Sequence, residues 1–228
     1  MTKATLILLP GLGADREVFR PQLDSDELSE FDLIVPDWLP VETGESLESY
    51  AKRLAEGVAV EKRPCFVAGL SFGGMLAPYV AEAVGAAGCL LVATIRCGNE
   101  LPWYYRMLRP LRSILPSAVW EIPKTAARMH HAVRGHRFSE NRLSIYKQLF
   151  RCPSVRLHEF SRMCVNWRGP ARDFDFPIFH IHGTNDRVLP LRFTEADELL
   201  LGAGHCLTLT RPDDINAFLR RSVAACGR

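Results

Sequence analysis

A serine flanked by two glycines stands where a short apolar run gives way to an Ala-rich helical pattern. Residues 65–74 read Cys-Phe-Val-Ala-Gly-Leu-Ser-Phe-Gly-Gly, with Ser71 at the centre of a Gly-x-Ser-x-Gly segment. A serine at such a strand-to-helix junction can occupy the apex of a strained turn and point its hydroxyl into a cleft. The flanking glycines remove the clashes that a Cβ would create there. The segment therefore predicts an exposed nucleophile, and its competing interpretation is an ordinary helix cap.

Two later segments each place a chemically active side chain directly after an apolar run. Residues 177–190 have the pattern of a buried strand followed by a turn that carries Asp186. Residues 198–206 contain the last apolar run and a small-residue loop that presents His205. The alternatives are that Asp186 only forms a turn and that His205 is a structural loop histidine. His182, just before the turn, is interpreted as a structural residue that packs beneath Asp186.

The order serine, aspartate, histidine, each after a predicted strand, resembles the α/β-hydrolase superfamily. The resemblance covers nearly the whole chain except its middle. It implies that Ser71 is the nucleophile, that His205 is its general base and later the acid, and that Asp186 orients His205. A serine nucleophile argues against the dehalogenase branch, which uses aspartate, and the dienelactone branch, which uses cysteine.

The resemblance also implies two backbone donors for the oxyanion that forms when the serine attacks a carbonyl. One is the amide of Phe72, which follows the nucleophile at a helix N-terminus. The other is expected from the Pro10-Gly11-Leu12-Gly13 loop, at the amide of Leu12. Relatives often have His-Gly where this chain has Pro10-Gly11, so the loop departs from the family pattern at that side chain.

Six short apolar runs without strict alternation are typical of strands buried on both faces of a parallel sheet. They lie at Thr5–Leu9, Asp32–Val35, Cys65–Ala68, Cys89–Ala93, Ile178–Ile181 and Glu198–Leu201. Helical patterns alternate with them, so the expected fold class is α/β. We expect a three-layer sandwich with about six parallel strands, helices on both faces and no antiparallel first hairpin. Residues 191–196 leave room for one helical turn at most.

The alternation stops between the fourth and fifth strands. The resemblance implies that this segment is a helical lid, so the expected domains are an α/β-hydrolase core, residues 1–96 and 173–228, and a helical lid inserted after the fourth strand, residues 97–172. Aromatic residues Trp103, Tyr104 and Tyr105 are predicted to line an apolar acyl pocket. We expect three residues of the core to share that pocket, namely Leu12, Phe72 and Cys206.

Charge is distributed unevenly along the chain. Residues 96–172 contain 15 basic and 4 acidic residues, whereas the remainder contains 13 basic and 22 acidic ones. One interpretation is a solvated surface on which arginine stems cover apolar helices. Another is an acidic partner or substrate, such as a phosphopantetheine-bearing acyl carrier protein or an acidic acyl chain. The third interpretation is binding to nucleic acid or to a membrane surface, and neither an aromatic-interleaved platform nor a clear amphipathic anchor favours it.

Composition indicates the size of the fold, the cellular compartment and whether a metal or cofactor is expected. The sequence of 228 residues is long enough for one domain with a sizeable core, and none of its apolar runs approaches a membrane span. Seven cysteines without metal-ligand spacing predict reduced thiols and a cytoplasmic protein. We expect no metal and no organic cofactor: His130, His131 and His136 have no carboxylate or cysteine partner nearby in sequence, and Gly11-Leu12-Gly13 lacks the third glycine of a dinucleotide site.

The sequence therefore predicts a serine hydrolase that cleaves a carboxylic ester. The same three residues acting on a thioester, amide, lactone or carbon–carbon bond remain an alternative, including acyl esters carried on a protein. A ligand-binding protein that keeps the fold with the site unused is the alternative from another class.

Overall fold

The computed structural model describes residues 3–61, 63–107, 109–112, 116–134 and 139–226. Six strands form one parallel sheet in the order β2-β1-β3-β4-β5-β6. They are β1 (Ala4–Leu9), β2 (Phe31–Ile34), β3 (Cys65–Leu70), β4 (Gly88–Val92), β5 (Ile178–Gly183) and β6 (Glu198–Leu200). The expected parallel sheet of six strands is confirmed, with ends that differ from the predicted ones by one or two residues. In the described part of the chain no antiparallel hairpin precedes β1.

Ten α-helices connect or flank the strands in the described residues. They are α1 (Arg20–Leu23), α2 (Leu47–Glu56), α3 (Phe72–Val84), α4 (Trp103–Arg106), α5 (Arg109–Arg112), α6 (Glu121–Arg134), α7 (Glu140–Arg151), α8 (Ser154–Asn166), α9 (Leu207–Thr210) and α10 (Pro212–Cys226). The five helices α4–α8 lie between β4 and β5, which is where the sequence predicted an insertion. Only one short 3₁₀ turn, Leu191–Phe193, fits between β5 and β6.

The sheet is covered on both faces, because its strands carry apolar side chains on both. One apolar cluster joins Ile7 and Val67 to α2, α3 and α8. The other joins Leu6 and Phe66 to α10 on the opposite face. The register pairs Ile7 with Val67 and Ala68 with Leu90, so successive strands end at a common edge. This edge, at the carboxyl ends of β3 and β5, is where the candidate site lies.

Helix ends follow the local sequence signals. Ser46 caps α2 by accepting the Ser49 N–H at 3.1 Å. Helix α3 ends at Gly85, whose positive φ of 63° is accessible to glycine without a Cβ clash. Within the described residues, no helix combines the length and apolar character needed to cross a bilayer.

Ion pairs connect the basic insertion to the acidic core. Arg151 on α7 lies 3.2 Å from carboxylate oxygens of both Asp15 and Glu17. Arg172, at the end of the insertion, contacts Glu82 on α3. Part of the charge asymmetry in the sequence is therefore balanced inside the molecule.

Candidate active site

Ser71 occupies a strained backbone conformation between β3 and α3. Its φ of 54° and ψ of −115° lie outside the regions favoured by residues with a Cβ. Two hydrogen bonds hold it there: the Ser71 N–H donates to the Val92 carbonyl at 2.9 Å, and Thr94 Oγ1 donates to the Ser71 carbonyl at 2.6 Å. The turn directs the Ser71 side chain away from the core and toward the edge of the sheet.

The two glycines around Ser71 allow strand and helix to approach closely. A Cβ on Gly69 would overlap the backbone of Gly73, and a Cβ on Gly73 would overlap the carbonyls of Leu9 and Pro10. The Gly-x-Ser-x-Gly segment is therefore required by backbone contacts within the turn and with β1.

His205 and Asp186 complete a hydrogen-bonded series with Ser71. His205 Nε2 lies 2.9 Å from Ser71 Oγ, and His205 Nδ1 lies 2.7 Å from Asp186 Oδ2. Because an ionised carboxylate can only accept, Nδ1 carries the proton and Nε2 accepts the serine hydroxyl. The three residues come from loops at the carboxyl ends of β3, β5 and β6, as the sequence order predicted.

Asp186 is buried, and its carboxylate accepts hydrogen bonds from backbone and imidazole donors. Oδ1 accepts the N–H groups of Val188 and Leu189 at 2.8 and 2.9 Å. Burial by itself would raise the pKa of Asp186, but hydrogen bonds from His182, His205 and Leu189 outweigh it and hold the pKa below its ordinary value. The carboxylate therefore stays ionised beside His205 and can stabilise an imidazolium there.

Two backbone amides near Ser71 have no acceptor among the described residues. Phe72 is the first residue of α3. Leu12 follows Gly11, and a Cβ added to Gly11 would lie 3.5 Å from the Ser71 Cβ. Within the described residues, neither the Phe72 nor the Leu12 N–H donates to another protein group. Neither amide is therefore used in a hydrogen bond within the described part of the protein.

The Ser71 and His205 side chains open into a cavity of about 420 Å³. Its wall is mainly apolar and comes from both the core and the insertion. The core contributes Leu12, Phe72, Met75, Val188 and Leu189, and the insertion contributes Leu101, Tyr105, Ile145, Leu149 and Val165. An apolar group bonded to a carbonyl at Ser71 can be removed from water here.

A model of the alpha/beta hydrolase family matches residues 6–218. The chain belongs to the alpha/beta hydrolase family.

Solved structures agree with this alpha/beta hydrolase fold. A thermophilic esterase superposes with a TM-score of 0.70 at 18% identity over 97% of this chain and 90% of its own. A hydrolase from Oleispira antarctica gives 0.69 at 18% identity over 97% and 91%. ClbQ from the colibactin NRPS/PKS pathway gives 0.62 at 14% identity, with 99% of both chains covered. No curated protein matches the sequence.

Of the six residues predicted to line an acyl pocket, four line the cavity of this alpha/beta hydrolase and two do not. The wall includes Leu12, Phe72, Tyr105 and Cys206. Trp103 is 55% exposed and packs edge-on against Tyr104 at 5.8 Å between ring centroids, while Tyr104 also contacts Phe193. Three consecutive residues of a helix point in different directions, so only Tyr105 faces the cavity.

The α8 residues that line the cavity were not predicted from the sequence. Leu157, Ser161, Cys164 and Val165 recur at helical spacing, and the last three line the cavity. That spacing was the available signal, but it does not tell which element the helix face covers.

The histidines considered for a metal are placed only in part. His136 and the side chain of His131 lie outside the described residues, and His130 Nδ1 lies 2.8 Å from the Tyr146 hydroxyl. Among the described residues, no group of three or more His, Cys, Asp or Glu side chains could hold a metal ion.

Proposed function

We propose that this alpha/beta hydrolase cleaves carboxylic esters through an acyl-enzyme formed on Ser71. The observation that carries the proposal is the hydrogen-bonded series Ser71–His205–Asp186 at the mouth of an apolar cavity. A serine hydroxyl is a weak nucleophile at neutral pH, and an accepting imidazole nitrogen at 2.9 Å can remove its proton during attack. An unused fold retained only for ligand binding would not require this alignment.

The proposed reaction has two halves. Ser71 Oγ attacks the ester carbonyl while His205 takes its proton, and the tetrahedral oxyanion accepts the N–H groups of Phe72 and Leu12. His205 then protonates the departing alcohol, which leaves the acyl group on Ser71. Water attacks this acyl-enzyme with His205 again as base, and the acid is released as Ser71 regains its proton. Asp186 stabilises the imidazolium in both halves.

The cavity supports an acyl chain as the part of the substrate that is buried. We propose that residues 97–172 act as a lid, because Tyr105, Leu149 and Val165 from this segment line the cavity opposite the core. The proposed substrate is therefore a small ester with an apolar acyl group. The same residues could act on a thioester, amide or lactone, and the substrate panel below separates these.

An acyl chain delivered by an acidic carrier is a second candidate substrate form. The excess of arginine in the insertion favours it, as does the likeness to ClbQ, a protein from an NRPS/PKS pathway. Within the described residues, Arg128, Arg151 and Arg162 already pair with carboxylates. The proposal therefore depends on basic residues such as Arg106 and Arg156, for which the described residues give no ion pair. Reversing both charges should raise KM only for carrier-borne or anionic substrates.

A reducing compartment fits the cysteines, since all seven thiols are free. We propose a cytoplasmic location on this ground.

The experiment that tests the proposed function is covalent labelling by a fluorophosphonate, followed by turnover of chromogenic substrates graded by bond type. The protein should be labelled at Ser71 and should hydrolyse esters, and Ser71→Ala should lose labelling and about 10⁶-fold of the turnover. Ser25, which caps a short 3₁₀ turn far from the site in sequence, provides the matched Ser→Ala control. Equal turnover in Ser71→Ala and in the unsubstituted protein would contradict the mechanism.

A further inference from the structure

Two histidines on β5 form a fully buried pair behind Asp186. His180 and His182 are both 0% exposed, and their rings meet edge-to-face with centroids 5.3 Å apart. Alternate residues of a strand point to the same side, which brings these two imidazoles together. The reaction proposed above uses neither ring directly.

Among the described residues, the outer nitrogen of each ring faces acceptors. His180 Nδ1 lies 2.9 Å from the carbonyl oxygen of Glu195. His182 Nε2 lies 2.8 Å from the carbonyl oxygen of Leu189 and 3.4 Å from Asp186 Oδ2. A carbonyl and an ionised carboxylate cannot donate, so each outer nitrogen carries a proton.

The inner nitrogens face each other. His182 Nδ1 lies 3.3 Å from His180 Nε2. A neutral imidazole has one N–H, and in both rings the outer nitrogen already holds it. If both rings were neutral, two lone pairs would therefore meet in a buried place with no donor between them, which is costly. One additional proton turns this contact into a hydrogen bond.

The surroundings decide which ring holds this additional proton, the third N–H proton of the pair. Burial, together with the neighbouring His182, lowers the pKa of His180 to about 3. His182 is instead the ring next to the buried Asp186 carboxylate. The other charged or titratable groups around the pair are His205 beyond Asp186, Asp197 whose carboxylate accepts the His180 backbone N–H, and the side chains of Arg96 and Glu195 at the surface.

We propose that His182 is a positioning residue: a buried imidazolium, held by His180, that neutralises Asp186 and thereby sets the pH range in which His205 acts as a base. A buried carboxylate without a counter-charge is destabilised and tends to take up a proton. With His182 charged, Asp186 stays ionised in a fixed orientation. The same positive charge repels a second positive charge on the His205 ring, so we expect activity to extend to lower pH. Only this catalytic consequence rests on the proposed function; the protonation state does not.

The protonation state can be measured directly on the folded protein. In ¹⁵N-labelled protein at pH 7, His182 should show a proton bonded to each of its two ring nitrogens, and His180 a proton on Nδ1 alone. The signals are assigned by their loss in His182→Gln and His180→Asn. A His182 ring with one N–H at pH 7 would overturn the proposal, whether or not the protein hydrolyses esters.

The catalytic consequence is tested by the pH profile of kcat/KM in two variants that remove the charge in different ways. His182→Gln keeps a donor toward Asp186 but carries no charge. His180→Asn keeps a donor toward Glu195 but removes His180 Nε2, the acceptor of the additional proton on His182. This substitution leaves the contacts of Asp186 unchanged. Both should move the acid limb of the profile to higher pH by about one unit, the size expected for one nearby charge.

A purely structural role predicts a different result, namely lower activity at every pH with the acid limb unmoved. That result in both variants, with melting temperatures showing that each is folded, would overturn the positioning role. His158→Gln on α8 is the matched control, because His158 lies outside this cluster beside Glu159. Its acid limb should stay where it is in the unsubstituted protein.

Discussion

The ring of Phe160 stacks on the ring of Phe72, the residue that follows Ser71, with centroids 4.5 Å apart and an interplanar angle of 26°. Phe160 belongs to α8 of the insertion, whereas Phe72 opens α3 of the core. Trp38 and Tyr50 meet Phe160 edge-on at 5.1 and 5.3 Å. The insertion is therefore anchored directly on the turn that holds the candidate nucleophile.

Phe160→Ala should destabilise the protein and reduce turnover together. Phe160 is 0% exposed, and truncating a buried phenylalanine typically costs about 3–5 kcal/mol of unfolding free energy. Loss of the stack also frees Phe72, whose amide is a proposed oxyanion donor, so kcat should fall by about tenfold or more. Urea denaturation and ester turnover measure the two effects. Phe160→Leu keeps an apolar contact and should lose less stability and less turnover. An unchanged kcat in Phe160→Ala would show that the ring stack does not support the proposed oxyanion donor.

The sheet and the three residues of the candidate triad were predictable because each depends on a local pattern plus one rule of topology. A buried strand followed by Gly-x-Ser-x-Gly, by Asp186 or by His205 is visible in the sequence, and parallel strands bring their carboxyl ends to one edge. No comparable rule predicts how the helices of the insertion pack on the core. Whether Trp103 or Tyr105 faces the cavity depends on how α4 docks, and the His180–His182 contact depends on ring rotation within β5.

Gly73→Ala should prevent tight packing of α3 against β1. Alanine in a helix interior is normally more stable than glycine, but here the new Cβ would overlap the carbonyls of Leu9 and Pro10. We expect a loss of about 3 kcal/mol or more in unfolding free energy. Gly57→Ala is the matched control: its Cβ would lie 3.5 Å from the Leu54 carbonyl, an ordinary contact, and its unfolding free energy should stay within about 0.5 kcal/mol. Equal effects in the two variants would show that the close approach is unimportant.

Acid should remove the stability that Asp186 contributes. The folded-state pKa of Asp186 lies below its unfolded value of about 3.9. A depressed carboxyl pKa stabilises the folded state above the unfolded pKa, and the contribution falls as the pH drops toward the folded pKa. Asp186→Asn should therefore be less stable than the unsubstituted protein by about 2 kcal/mol between pH 7 and pH 5. The difference should shrink by up to about 1.4 kcal/mol per pH unit below pH 4. Denaturation curves across this range test the sign, and a difference that widens in acid would contradict it.

Ester turnover should depend on acyl length until the cavity is filled. Each added CH₂ that is buried contributes up to about 0.8 kcal/mol, which corresponds to about fourfold in kcat/KM. Val165 lies in the cavity wall, and Val165→Phe adds volume there. The increase of kcat/KM with acyl length should therefore stop at a shorter chain. Acetyl esters should still be hydrolysed within about threefold of the original rate. Trp103→Ala is the matched control, because Trp103 is 55% exposed and lies outside the wall. Its chain-length profile should match that of the unsubstituted protein. If Trp103→Ala shifts the profile and Val165→Phe does not, the acyl chain binds elsewhere, against the α4 aromatics that the sequence pattern first indicated.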